Sequence, residues 1–116
     1  MKILIDVADT TIAATLKGDS AAAKDFYNLL PLELTLTDYA SIEKVSDLPK
    51  KLSTNGEPSG TSAKAGDLTY YAPWGNLAYF IKDFKHASGL VKLGTLDEGQ
   101  ELLRKSGPVP VTIRQA

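Results

Sequence analysis

Gly66-Asp67-Leu68-Thr69-Tyr70-Tyr71-Ala72-Pro73-Trp74-Gly75-Asn76-Leu77-Ala78-Tyr79-Phe80-Ile81 reads as two strands and the turn between them. Asp67 to Tyr71 and Leu77 to Ile81 carry the aromatic and apolar residues that suit a pleated surface. Ala72 to Asn76, punctuated by Pro73 and Gly75, makes a wide turn. Period two sends Tyr70 and Tyr71 to opposite faces, and likewise Tyr79 and Phe80, so part of this aromatic cluster belongs to a core. Trp74 stands apart because it sits in the turn. Its indole either packs down as a plug or lines a pocket, where a broad face and one N–H suit ligand contact.

Working outward, the chain begins with Lys2 to Val7, β-branched and apolar, and a short turn at Ala8-Asp9. Thr11 to Leu16 follows, with Ile12, Ala14 and Leu16 alternating against Thr11, Ala13 and Thr15, so the pair reads as a hairpin. Ser20 is the expected N-cap of a helix whose apolar stripe is Ala23, Phe26, Tyr27 and Leu30. Pro31 stops that helix, because it donates no hydrogen bond and drives Leu30 out of the α region. Leu32, Leu34 and Leu36 alternate with Glu33, Thr35 and Thr37 in the cleanest strand of the chain. Asp38 to Leu52 is mixed, and Ser53 to Gly66, with Asn55-Gly56, Pro58 and Gly60, reads as one long loop. Beyond the central segment, Lys82 to Gly89 is polar and turn-like, and Leu90 to Leu93 is a strand. Thr95-Leu96-Asp97-Glu98 matches a capping box, so a short helix packing Leu102 and Leu103 is expected, with Arg104 and Lys105 at its negative end. Gly107 and Pro108 end it, and Val109, Val111 and Ile113 alternate in a last strand.

Many short strands with two helices favour a barrel or sandwich over a doubly wound sheet. Closure removes exposed strand edges, and two amphipathic helices would cover the open ends. A length of 116 residues suits a single domain spanning 1–116, and 43% hydrophobic residues suit an ordinary folded protein. The net charge of −1, with Lys and Arg scattered, gives no basic stripe for nucleic acid. There is no cysteine, which excludes disulfides, thiolate nucleophiles and zinc–thiolate sites. The apolar start is broken by Asp6 and is too short for a signal-peptide core, and no run approaches the roughly 20 residues that span a bilayer. A cytoplasmic protein with no membrane partner is expected.

The segment Gly66 to Phe80, together with Leu29-Leu30-Pro31-Leu32 and Gly89-Leu90-Val91-Lys92-Leu93-Gly94, resembles bacterial cyclophilin-like-fold proteins of unknown function. With the order of elements, the similarity covers most of the chain. It implies a mainly β fold: a closed antiparallel β-barrel of about eight strands with two capping α-helices. The better-known members of the wider group are peptidyl-prolyl isomerases. Tyr79-Phe80-Ile81 resembles their aromatic strand, which implies for Phe80 the place of a proline-pocket phenylalanine. Their catalytic arginine would fall between Thr37 and Gly66, where this chain has none. Arg104 and Arg114, the two arginines present, belong to the expected last helix and last strand.

No catalytic set stands out. His86, the single histidine, reads as an exposed loop residue; one imidazole is also one metal ligand, so no metal site is expected. Gly56, Gly60 and Gly66 lack the spacing of a phosphate loop. Glu43 and Lys44, with Tyr39 upstream, are either a solvated loop or reach an open groove beside Tyr71, Trp74 and Asn76, where a carboxylate and an amide would orient a polar ligand. The candidate ligand-binding residues are therefore Tyr39, Glu43, Tyr71, Trp74, Asn76 and Phe80, with no cofactor. Three functions fit: a module binding a small molecule or a peptide, a divergent prolyl isomerase, or a structural protein that self-associates through an exposed barrel edge.

Overall fold

A computed structural model describes residues 1–116. Ten strands and two helices follow in the order β1 (Lys2–Val7), β2 (Thr10–Leu16), α1 (Ala21–Leu29), β3 (Leu32–Tyr39), β4 (Glu43–Asp47), β5 (Gly60–Ala63), β6 (Asp67–Tyr71), β7 (Asn76–Phe80), β8 (Phe84–Ser88), β9 (Leu90–Leu96), α2 (Gln100–Leu103) and β10 (Val109–Gln115). Eight of the strands close an antiparallel barrel in the order β1-β10-β3-β4-β7-β6-β9-β2, while β5 and β8 pair as a separate two-stranded sheet. In the ring every strand has two neighbours, whereas β5 and β8 each have one.

Alternation fills the barrel. Ile3, Ile5 and Val7 from β1, Ile12, Ala14 and Leu16 from β2, and Val109, Val111 and Ile113 from β10 are all buried in one cluster with Leu68, Tyr70, Leu77, Tyr79 and Leu93. α1 adds Ala22, Ala23 and Phe26 to that cluster and α2 adds Leu103. The helix signals act as read at α1. The Ser20 Oγ accepts from the Ala23 N–H at 3.0 Å, and Leu30 is extended at ψ 146° ahead of Pro31.

Four stretches depart from the sequence expectation. Ser53 to Gly66 is not all loop: its second half is β5, and its first half is tied to α1. There the Asp25 Oδ2 accepts from the Ser53 N–H at 2.7 Å, and the Ser20 Oγ donates to the Glu57 Oε2 at 2.7 Å. Lys82 to Gly89 contains β8, so His86 is an exposed strand residue rather than a loop one. Glu43 and Lys44 open β4 instead of lying in a solvated loop. The capping box does not form, because Thr95 and Leu96 continue β9; α2 is one turn starting after Gly99, and Arg104 is its C-cap.

A second layer explains why β6 and β7 are buried on both faces. Ala63, Ala78, Phe80 and Leu90 form a small cluster outside the barrel, with Ile42, Val45, Tyr71, Phe84 and Ala87 packed on it. Thus β5 and β8 lie over the outer face of the β4-β7-β6-β9 wall. Gly60 permits their close pairing, since a Cβ there would stand 2.4 Å from the Ala87 carbonyl oxygen.

Candidate functional site

Strand register assembles the site. On the outer face of the wall, Tyr39 of β3 is opposite Glu43 of β4, and Glu43 is opposite Phe80 of β7. Asn76 of β7 is opposite Tyr71 of β6, and Tyr71 is opposite Leu90 of β9. These two rows lie about 13 Å apart along β7, at roughly 3.3 Å per residue, with Val45 opposite Ala78 between them. β8 supplies a facing rim through Phe84 and Ala87, and the β6–β7 turn supplies Trp74. Together Tyr39, Glu43, Val45, Tyr71, Trp74, Asn76, Phe80, Phe84, Ala87 and Leu90 enclose a cavity of about 240 Å³.

All six candidate residues named from the sequence therefore border one cavity. Four others were not anticipated. Phe84 and Ala87 lie in the stretch read as a turn, and Val45 and Leu90 come in through register, which sequence alone does not fix. His86 and Lys44 do not line the cavity. Lys44 pairs opposite Tyr79, an interior residue, so it points into the barrel rather than to the groove. Its side chain is fully buried, and its Nζ meets the Asp38 carboxylate at 2.7 Å and donates to the Gly107 carbonyl. No residue between 53 and 66 reaches the cavity.

Trp74 is no plug: it is 59% exposed. The turn that holds it is tight. The Tyr71 carbonyl accepts from the Trp74 and Gly75 N–H groups at 3.2 and 2.8 Å, and Gly75 takes φ +67°, a value that favours glycine. The indole stands edge-on to Tyr71, with centroids 5.4 Å apart at 83°, and to Tyr39, at 5.6 Å and 81°. On the opposite side Phe80 and Phe84 stack at 5.7 Å. Trp74 is thus set at right angles to both tyrosines while Phe80 and Phe84 lie near parallel, both favoured pairing geometries.

Two polar groups lack partners. The Asn76 side chain is 5% exposed, and its Oδ1 accepts no hydrogen bond. Glu43 belongs to none of the ion pairs, which are Lys2–Asp97, Lys44–Asp38, Lys92–Asp67 and Arg114–Asp6. Burial pushes the Glu43 carboxyl above its ordinary range, because its charged form is partly stripped of water and nothing nearby repays it. Chemically, the cavity is an apolar, aromatic chamber with one carboxyl group, Glu43, and with no lysine, arginine or histidine among its lining. Neither a metal-binding group of acidic or histidine side chains nor a helix long and apolar enough to cross a membrane is present.

No curated protein matches the chain. The solution structure of a hypothetical protein from Archaeoglobus fulgidus is similar to it with a TM-score of 0.70 at 17% sequence identity, over 100% of this chain and 95% of that one. At that identity the likeness is one of fold. The sequence also fits the model of the Cyclophilin-like family over residues 5–114, nearly its whole length. With the closed barrel, its two helices and this match in agreement, the chain belongs to the Cyclophilin-like family.

Proposed function

We propose that the protein is a binding module whose groove takes a small, largely apolar molecule. The observation that carries this is the convergence of Tyr39, Glu43, Tyr71, Trp74, Asn76 and Phe80, from four strands and a turn, on one aromatic cavity. Such a concave apolar site with a few polar groups is the usual form of a ligand pocket. Its size points to a small occupant: about 240 Å³ exceeds the roughly 150 Å³ cavity that holds a benzene ring, yet falls below the usual range for drug-sized ligands.

The isomerase alternative has less support. It rests on the family and on Phe80 at the cavity wall, and fold alone is weak ground for function. A cation that hydrogen-bonds the prolyl imide would have to come from the lining, where there is none. A proline-peptide assay with activity no higher than buffer removes that reading.

The test of the binding reading is a screen of small aromatic and aliphatic fragments followed by amide chemical shifts. Fragments that bind are expected to lose at least about tenfold in affinity in Trp74→Ala and in Asn76→Ala, as removal of a stacking face and of part of the cavity wall implies. Affinity unchanged in both variants contradicts the assignment.

A further inference from the structure

The groove carries charge of one sign only. Glu43 is the single charged residue in the lining, and its carboxylate has no cation partner anywhere in the chain. Lys44, next to it in sequence, cannot serve, since it points into the barrel and is held by Asp38 and Gly107. Asn76 adds a buried carbonyl oxygen without a donor. Around these acceptors stand the electron-rich rings of Tyr39, Tyr71 and Trp74, with Trp74 edge-on to both tyrosines. Aromatic faces attract cations through their quadrupoles, and Trp and Tyr do so best. An unpaired carboxylate in a partly dry site is costly until a counter-charge arrives.

Resting on the reading of the groove as a binding site, we propose that its ligand is a small organic ammonium ion, a protonated amine carried on a ring-sized apolar body. The apolar body occupies the space between Phe80, Phe84 and Leu90. The ammonium group donates to the Glu43 carboxylate, with Trp74 and Tyr39 closing over its charge. Anionic ligands are disfavoured at the same place, because Glu43 repels them and no side chain of the lining compensates.

The test uses three probes of similar shape and different charge: benzylammonium, benzyl alcohol and phenylacetate, at equal ionic strength. Trp74, the one tryptophan, reports by emission, and lining amides report by chemical shift. Benzylammonium is expected to bind at least about tenfold more tightly than benzyl alcohol, the scale of one charge-assisted hydrogen bond, and phenylacetate more weakly than either. Glu43→Gln, which keeps shape and removes charge, is expected to abolish the preference for the cation while leaving benzyl alcohol binding in place. Trp74→Leu, at an exposed position that tolerates change, is expected to reduce the preference as well. Equal or tighter binding of benzyl alcohol or phenylacetate overturns the ammonium assignment and leaves the groove as a site for another ligand. Failure of all three probes to perturb the lining overturns both.

Discussion

Tyr79 and Lys44 face each other inside the barrel, and the two meet burial in different ways. The Tyr79 hydroxyl is buried without a hydrogen-bond partner, and burial pushes its pKa up to about 12. An orphaned buried hydroxyl costs stability, so Tyr79→Phe is expected to raise it by about 1 kcal/mol in urea denaturation, with the m-value unchanged. Lys44 instead keeps a buried charge by pairing it: the Asp38 carboxylate accepts from its Nζ. That contact and the Gly107 N–H, 2.6 Å away, hold Asp38 below the usual carboxylate range. A folded-state pKa lowered in this way adds stability above the unfolded carboxylate value, and that stability is lost as pH falls through the folded value. The acid limb of the stability profile, below about pH 4, is therefore expected to flatten in Asp38→Asn. A profile identical to wild type would show that the pair contributes nothing. Neither side chain could be placed from sequence: a lysine in a polar stretch reads as exposed, and its inward position follows from its register against Tyr79.

At the scale of elements, what was legible depended on how many faces each strand buries. β1, β2, β3 and β10 turn one face to the core, so their alternation is plain and was read nearly to the residue. α1 announced itself through Ser20 and Pro31. β5 and β8 are short, half-exposed strands of a two-stranded sheet, and Lys85, His86 and Ser88 gave β8 the composition of a turn. The Thr95–Glu98 pattern misled because its members serve other partners. Leu96 donates its N–H to the Gly66 carbonyl, and the Asp97 carboxylate accepts from Lys2 and from the Thr15 hydroxyl. The candidate site was legible as residue types around an aromatic turn, and its rim from β8 was not. One glycine joins that rim to the turn. Gly89 sits at φ +83°, and a Cβ there would come within 2.7 Å of the Pro73 ring. Its carbonyl accepts from the Ala72 N–H at 2.9 Å. Gly89→Ala is expected to cost about 1–3 kcal/mol through the strained φ and the clash. The strain falls on the Trp74 turn, so a shifted Trp74 emission maximum should accompany it; an unchanged emission maximum with full stability would show that the turn is not braced there.

At the scale of the whole molecule, one barrel wall carries both the core and the candidate site. The inner face of β6 and β7 supplies Leu68, Tyr70, Leu77 and Tyr79 to the core, and the outer face supplies Tyr71, Asn76 and Phe80 to the cavity. A groove built on a closed barrel is held rigid on that side. The shallower depression bordered by Asp6, Glu33 and Thr112 lies over β1, β3 and β10 instead. There Asp6 is already engaged by Arg114 and Thr11. The most direct measurement is an amide chemical-shift titration of the protein with benzylammonium. The expected result is a set of saturable shifts centred on Tyr39, Glu43, Tyr71, Trp74, Asn76, Phe80 and Phe84, with Asp6, Glu33 and Thr112 unmoved. Shifts centred on the Asp6–Glu33–Thr112 surface, or none at saturating probe, would contradict the account.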